Sequence, residues 1–296
     1  MTAFADRLIE ATRRAGSPLC VGLDPFPEKI PSLFGDASEN TDALRAFGEA
    51  IVELAAQHAG VLKPQVGLFE PYGPEGVAIA RDLTRAAQNA GMLVILDAKR
   101  GDIGTTAEGY ARATLGPAPG FDADCVTINP YLGLDSLEPF LARAQSADKG
   151  VAVLVRTSNP GARDVQDIDA GGASVWRRVA EMLAPHTERL SGANGWSGLM
   201  VVAGATYPDE ARALRATLPR ALFLVPGYGA QGASARDAAA GFITGAYGRE
   251  GGVISSSRAV TYPPAAQAAR TLADWRAAVS EAMAAARADL RDACAS

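Results

Sequence analysis

The run Leu96-Asp97-Ala98-Lys99-Arg100-Gly101-Asp102 gathers one lysine and two carboxylates in a short stretch that follows an apolar segment. A lysine ammonium supplies localised positive charge and, once its surroundings tune it, a proton; a guanidinium supplies only the charge. Lysine is scarce in this chain, with only Lys29, Lys63, Lys99 and Lys149 against 24 arginines. A composition that prefers arginine has therefore kept lysine at the ends of two apolar runs, Lys63 after Val61-Leu62 and Lys99 after Leu93–Leu96. Alternation along an extended chain would turn Asp97 and Lys99 to one side and Ala98 to the other. A structural ion pair, with Asp102 capping a helix that starts near Thr105, would use the same residues. Against it stands the cost of desolvating several ions at a strand end, which cores avoid unless chemistry needs them. The expected chemistry is acid–base work, with a lysine between two carboxylates able to deliver a proton.

Two further segments suit an anionic ligand. Pro226-Gly227-Tyr228-Gly229-Ala230-Gln231-Gly232 and Ser255-Ser256-Ser257-Arg258 each follow an apolar run near the C-terminal end of the chain. Glycines let backbone N–H groups approach a phosphate, and Arg258 can pair with two of its oxygens. Asp24, at the end of the first apolar run, is a further polar candidate.

The elements that must position these residues are legible as an alternation. Eight short apolar runs read as strands: Leu19–Leu23, Val61–Lys63, Leu93–Leu96, Cys125–Ile128, Val151–Val155, Leu199–Val202, Leu222–Val225 and Gly252–Ile254. Between them, stretches such as Thr41–Gln57 and Glu75–Asn89 repeat apolar residues with the helical period. Strands that are apolar throughout are buried on both faces, as in parallel sheets covered by helices. Eight such units predict an α/β fold, a (β/α)8 TIM barrel, as one domain over residues 1–296. The rival, an open doubly wound sheet, usually carries GxGxxG after its first strand; here that turn reads Gly22-Leu23-Asp24-Pro25. Residues 25–40 and 159–173 read as insertions, and the alanine-rich tail Pro264–Asp289 as a final covering helix.

Composition narrows the function. A formal charge of -5 opposes general affinity for nucleic acid or anionic membrane. Cys20, Cys125 and Cys294, with His58 and His186, are too scattered for a soft-metal site or a disulfide framework. Cys20 and Cys125 read as small buried residues, the two histidines as surface or capping residues, and Trp176, Trp196 and Trp275 as packing. The first residues carry acids and lack an apolar core, and no run of about 20 apolar residues follows, so a cytoplasmic protein is expected.

At this point the residues become recognisable. Cys20-Val21-Gly22-Leu23-Asp24-Pro25, Lys63-Pro64-Gln65, Asp97-Ala98-Lys99-Arg100-Gly101-Asp102-Ile103-Gly104-Thr105-Thr106 and Asn129-Pro130-Tyr131-Leu132-Gly133 occur in that order. Arg156-Thr157-Ser158-Asn159-Pro160-Gly161, the Pro226–Gly232 loop and Ser256-Ser257-Arg258 complete the set. Together they make the chain similar to orotidine 5'-phosphate decarboxylases, in the bacterial longer-loop subclass (type 2). Arg258 follows Ser257 where the shorter subclass often has glycine.

The resemblance implies cofactor-free, metal-free decarboxylation of orotidine 5'-monophosphate to UMP, the last step of de novo pyrimidine nucleotide synthesis. Lys99 matches the general acid that protonates C6, Asp97 the carboxylate beside the substrate's own, and Lys63 and Asp102 the rest of the charged array. Asp24 and Lys63 match groups that hold the ribose hydroxyls. Ser158 and Gln231 match pyrimidine contacts, and Gln231 with Arg258 the phosphate grip. The resemblance also implies a homodimer with shared sites, in which the acid matching Asp102 and the residues matching Ile103 and Thr106 reach in from the other subunit. Two rivals remain at this stage. One is a magnesium-dependent phosphosugar aldolase with the same Asp-x-Lys-x-x-Asp core; the other is a catalytically silent nucleotide-binding protein.

Overall fold

The eight apolar runs pair side by side into a closed parallel barrel in the computed structural model, which describes residues 2–38, 40–245 and 247–295. Its strands are β1 (Leu19–Leu23), β2 (Val61–Pro64), β3 (Leu93–Arg100), β4 (Cys125–Ile128), β5 (Gly150–Arg156), β6 (Ser197–Ala203), β7 (Ala221–Val225) and, after a short hairpin, β10 (Gly252–Ser256). β10 closes the ring by pairing with β7 on one side and β1 on the other, Leu19 opposite Ile254. The hairpin, β8 (Ile243–Gly245) with β9 (Gly248–Glu250), is antiparallel and lies outside the barrel sheet. Its residues are too short and too polar a run to have been legible as strands.

Helices α1 (Phe4–Ala15), α2 (Thr41–His58), α3 (Gly73–Asn89), α4 (Gly104–Leu115) and α5 (Leu134–Ser146) precede β5. After it come α6 (Arg163–Gln166), α7 (Val175–Leu183), α8 (Pro208–Thr217), α9 (Ala235–Ala238), α10 (Arg258–Thr261), α11 (Pro264–Gln267) and α12 (Leu272–Ala295). The tail expected as one helix over Pro264–Asp289 is therefore two. Pro263 and Pro264 start the first, which stops at Ala268. The second restarts where Thr271 Oγ1 accepts the Asp274 N–H at 3.1 Å, an N-cap that favours a new helix over continuation. It then runs beyond Asp289 to Ala295.

Two apolar layers hold the barrel. The outer one packs strand residues such as Val21, Leu62, Val94 and Val126 against the helices. The inner one fills the barrel with Cys20, Ile95, Cys125, Met200, Leu222 and Val253, and Phe4 and Leu8 of α1 close its amino-terminal end. Each fully buried leucine or phenylalanine contributes roughly 1.5–3 kcal/mol. The plug needs Gly150: a Cβ there would lie 2.4 Å from the Phe4 ring. Cys20 and Cys125 are fully buried, as expected, and burial pushes the Cys20 thiol up to about 12.

The insertion at 159–173 carries one turn of 3-10 helix and the four residues of α6. It is tied down at the end of β5. Thr157 N–H donates to Gln166 Oε1 at 3.0 Å and Gln166 Nε2 to Thr157 Oγ1 at 2.7 Å, while Arg156 pairs with Asp167 at 2.8 Å.

Candidate active site

Above the inner apolar layer, the carboxyl ends of the strands open into a cavity of about 630 Å3. Asp24, Lys63, Asp97, Lys99, Ser158, Gln231 and Arg258, scattered over more than two hundred positions of chain, all line it. In a parallel barrel every strand delivers its last residue to the same rim, which is how such distant residues converge.

Asp97 is the hub. Its Oδ2 accepts from Lys63 Nζ at 2.7 Å and Gln65 Nε2 at 3.1 Å; its Oδ1 accepts from Lys99 Nζ at 2.5 Å and Thr127 Oγ1 at 3.0 Å. Burial alone would raise the Asp97 carboxyl, but the ammonium groups of Lys63 and Lys99 outweigh it and hold the group well below the usual carboxylate range. Burial likewise opposes the charge on Lys63, and the carboxylates of Asp97 and Asp24 reverse the balance, raising its affinity for the proton. The two lysines differ in access. The side chain of Lys63 is 7% exposed and that of Lys99 47%, so Lys63 is locked against Asp97 while Lys99 faces the cavity with room to meet a ligand.

Asp97 and Lys99 do share a side, with Ala98 packed outward against the helix layer, but simple alternation is not what brings Lys99 there. Lys99 has φ +46°, and the pairing of β3 with β4 shifts register between Leu96 and Arg100. A non-glycine residue in that conformation is strained and persists where its surroundings over-determine it. Thr127 provides that constraint: its hydroxyl accepts the N–H groups of Ala98 at 3.0 Å and Lys99 at 2.9 Å and donates to Asp97. Thr127 is not singled out by the sequence, and Gln65 only as part of Lys63-Pro64-Gln65; both hold Asp97. Period-two alternation puts Thr127 on the same face as Cys125, which the structure places inside the barrel.

On the neighbouring strand end, close enough for its charge to act on Lys63, Asp24 has its Oδ1 buried without a hydrogen-bond partner among the described residues, an oxygen ready to accept from a ligand hydroxyl. Its backbone is fixed by the Tyr262 hydroxyl, which donates to Asp24 O at 2.8 Å. Gly22 is required here, because a Cβ would lie 1.8 Å from Ser257 Oγ and push the last rim turn away. Arg258, just after that turn, is exposed, and its guanidinium has no ion-pair partner among the described residues. Ser158 rests against Gly204 and Gly227, so the loops after β5, β6 and β7 touch. Trp176, expected only as packing, is buried but also lines the cavity.

Asp102, Ile103 and Thr106 are not brought to this chain's own cavity. Asp102 Oδ1 accepts the Ile103 N–H at 2.8 Å, and the carboxylate makes no ion pair with Lys99 among the described residues. It does not cap α4 either: the helix begins at Gly104 with Ile103 at its N-cap and no side-chain cap. β3 ends at Arg100, so Asp102 lies in the connection to α4, past the strand that carries Asp97 and Lys99 to the rim.

A closed (β/α)8 barrel with a lysine–aspartate–lysine centre at the carboxyl ends of β2 and β3 defines the class: a barrel enzyme of the TIM type. Within that class, the model of the "Orotidine 5'-phosphate decarboxylase / HUMPS family" matches residues 17–272, and the chain belongs to that family. The chain is 38% identical over 296 residues to an orotidine 5'-phosphate decarboxylase from Rhodopirellula baltica, covering 95% of this chain and 97% of that one. It is 42% identical over 262 residues to the enzyme of the same name from Haloarcula marismortui, covering 88% and 87%. The solved OMP decarboxylase of Leishmania donovani superposes with a TM-score of 0.74 at 34% identity, covering 98% of this chain and 99% of that one.

Proposed function

We propose that the chain decarboxylates orotidine 5'-monophosphate to UMP and carbon dioxide, with Lys99 as the acid. The observation that carries this reading is Asp97, ionised and held by four donors, presenting the half-exposed Lys99 ammonium to the cavity. When the bond from C6 to the carboxylate breaks, its electron pair stays on C6 in an sp2 orbital that the ring delocalises poorly. The Lys99 ammonium faces that charge as it develops and then transfers a proton to C6, leaving a neutral amine. An opposite charge at ~4 Å is worth roughly 4 kcal/mol at an effective dielectric of ~20. Because the ammonium is positioned before the reaction, little reorganisation is needed at the transition state.

The other residues divide the nucleotide among them. Asp24, with its free Oδ1, and Lys63 take the ribose hydroxyls; Ser158 and Gln231 take the pyrimidine; Gln231 and Arg258 take the phosphate. No cofactor or metal is assigned a role. The cytoplasm suits this step of nucleotide synthesis, and no helix among the described residues is long and apolar enough to cross a membrane.

The functional unit is a homodimer, with Asp102, Ile103 and Thr106 of the partner subunit completing each site. Supporting this, Ile103 is 57% exposed and Asp102 has no role in its own cavity. Tyr131 and Leu132 are also exposed, in the loop whose Asn129 lies against Gly101, two residues before Ile103.

The test is the loss of orotidine monophosphate absorbance in the ultraviolet, with and without EDTA. Turnover that survives EDTA is expected; turnover abolished by EDTA would mean a metal-dependent reaction, and none under either condition would overturn the decarboxylase reading in favour of the aldolase-type or silent-binder one.

A further inference from the structure

The glycine-rich loop after β7 has little internal support. Gly227, Gly229 and Gly232 all have positive φ, at 104°, 74° and 87°, and residues 229–232 are exposed. Its own hydrogen bonds are short-range: Gly229 N–H to Ala233 O at 3.2 Å, Ala230 N–H to Tyr228 O at 3.1 Å and Gly232 N–H to Gly229 O at 2.9 Å. A loop so rich in glycine loses much conformational entropy when it orders around an anion.

One side chain ties the loop to the body of the protein. The Tyr228 hydroxyl donates to Asp289 Oδ2 at 2.7 Å, across 61 positions of sequence, while the ring packs on the core and edges the cavity. Asp289 lies on α12, the C-terminal helix. That helix also packs against α9, which follows the loop, and α10, which carries Arg258. One helix thus backs both segments assigned to the phosphate.

We propose that Asp289 is a positioning residue for the phosphate grip, holding the β7 loop through the Tyr228 hydroxyl where Gln231 and the loop N–H groups meet the substrate phosphate. The inference rests on the reading of the β7 loop as the phosphate loop. It gives the C-terminal helix, which lies outside the barrel sheet, a part in substrate recognition. Asp289 is exposed and touches no reacting group, so its contribution passes entirely through the loop.

The experiment compares orotidine 5'-monophosphate with orotidine, which lacks the phosphate, as substrates for the full-length wild type, Asp289→Ala and Asp289→Asn. Asp289→Ala is expected to lower kcat/KM for the monophosphate on the order of tenfold, the size of one lost charge-assisted hydrogen bond, mostly through KM. Its kcat/KM for orotidine should fall clearly less, because orotidine keeps only the Gln231 contact to the pyrimidine and makes no use of the phosphate grip. Asp289→Asn, whose Oδ1 can still accept from the hydroxyl, should recover at least half of the loss. An unchanged kcat/KM for the monophosphate in Asp289→Ala, an equal fall with both substrates, or no recovery in Asp289→Asn overturns the proposal. A wild type that turns over orotidine as fast as the monophosphate overturns the phosphate-loop reading itself, a result visible before any variant is made.

Discussion

Two buried cations sit at opposite ends of this barrel and have opposite companions. At the carboxyl end, Lys63 pairs with Asp97 at 2.7 Å beside an open cavity. At the amino end, Arg215 donates to five backbone carbonyls, those of Leu218, Pro219, Ala221, Gly241 and Gly251, with its guanidinium over the rings of Trp196 and Phe223. No carboxylate pairs with it among the described residues. Burial pulls its pKa down to about 9, so it remains charged at neutral pH. Each of the three guanidinium nitrogens of Arg215 donates to the fold, whereas at the mouth Asp24 Oδ1 and the Lys99 ammonium retain capacity for something that is not protein. A buried charge marks chemistry only where it borders space and leaves bonding capacity unused.

The largest effect expected from this contrast is at Lys99. Lys99→Ala should cut kcat at least about 10³-fold, the scale of losing a positioned charge and acid together, while the protein still folds and melts cooperatively. Residual decarboxylation within tenfold of wild type would remove Lys99 from the reaction. Arg215→Met should behave in the reverse sense. Leaving the carbonyls unpaired should cost about 3 kcal/mol in a urea titration, while kcat/KM of the folded protein stays the same. A loss of activity without a loss of stability would erase the distinction between the two ends.

Arg258→Ala comes next, with kcat/KM lowered on the order of 10²-fold, because binding energy from a remote phosphate is available to loop closure and water exclusion as well as to affinity. Equal kcat/KM values would exclude it from the phosphate grip.

The smallest expected effect is an absence of titration. The depressed Asp97 contributes stability that is fully present above the ordinary carboxylate pKa, about 4, and is lost only as pH falls through its lower folded value. The raised Lys63 contributes stability that is present below the ordinary lysine pKa, about 10.4, and is lost as pH rises through its higher folded value. Carbon-13 NMR of the Asp97 carboxyl should therefore show no step between about pH 5 and 9; a step near neutrality would mean that the ion pairs do not hold.

The barrel itself was legible because its signal is periodic and local. Runs such as Cys125–Ile128 are apolar at every position, and that pattern requires cover on both faces wherever the strand ends up. The β8–β9 hairpin and the break between α11 and α12 were not legible, since each depends on a few polar contacts, Thr271 with Asp274 among them, rather than on a repeat. The rim residues were found by type and order: a rare lysine at a strand end needs no coordinates to attract notice.

Residue type and order also determined which groups this chain can use for chemistry, because a lysine's ability to give up a proton and a carboxylate's to hold charge belong to the side chains. Geometry was decided elsewhere. That Lys99 reaches Asp97 through a left-handed residue clamped by Thr127, that Asp102 turns away from its own cavity, and that Asp289 backs a loop 61 positions earlier all depend on contacts between distant segments. A local pattern sets which face a residue prefers, but only closure of the barrel brings strands, loops and the last helix within the few ångströms over which hydrogen bonds act.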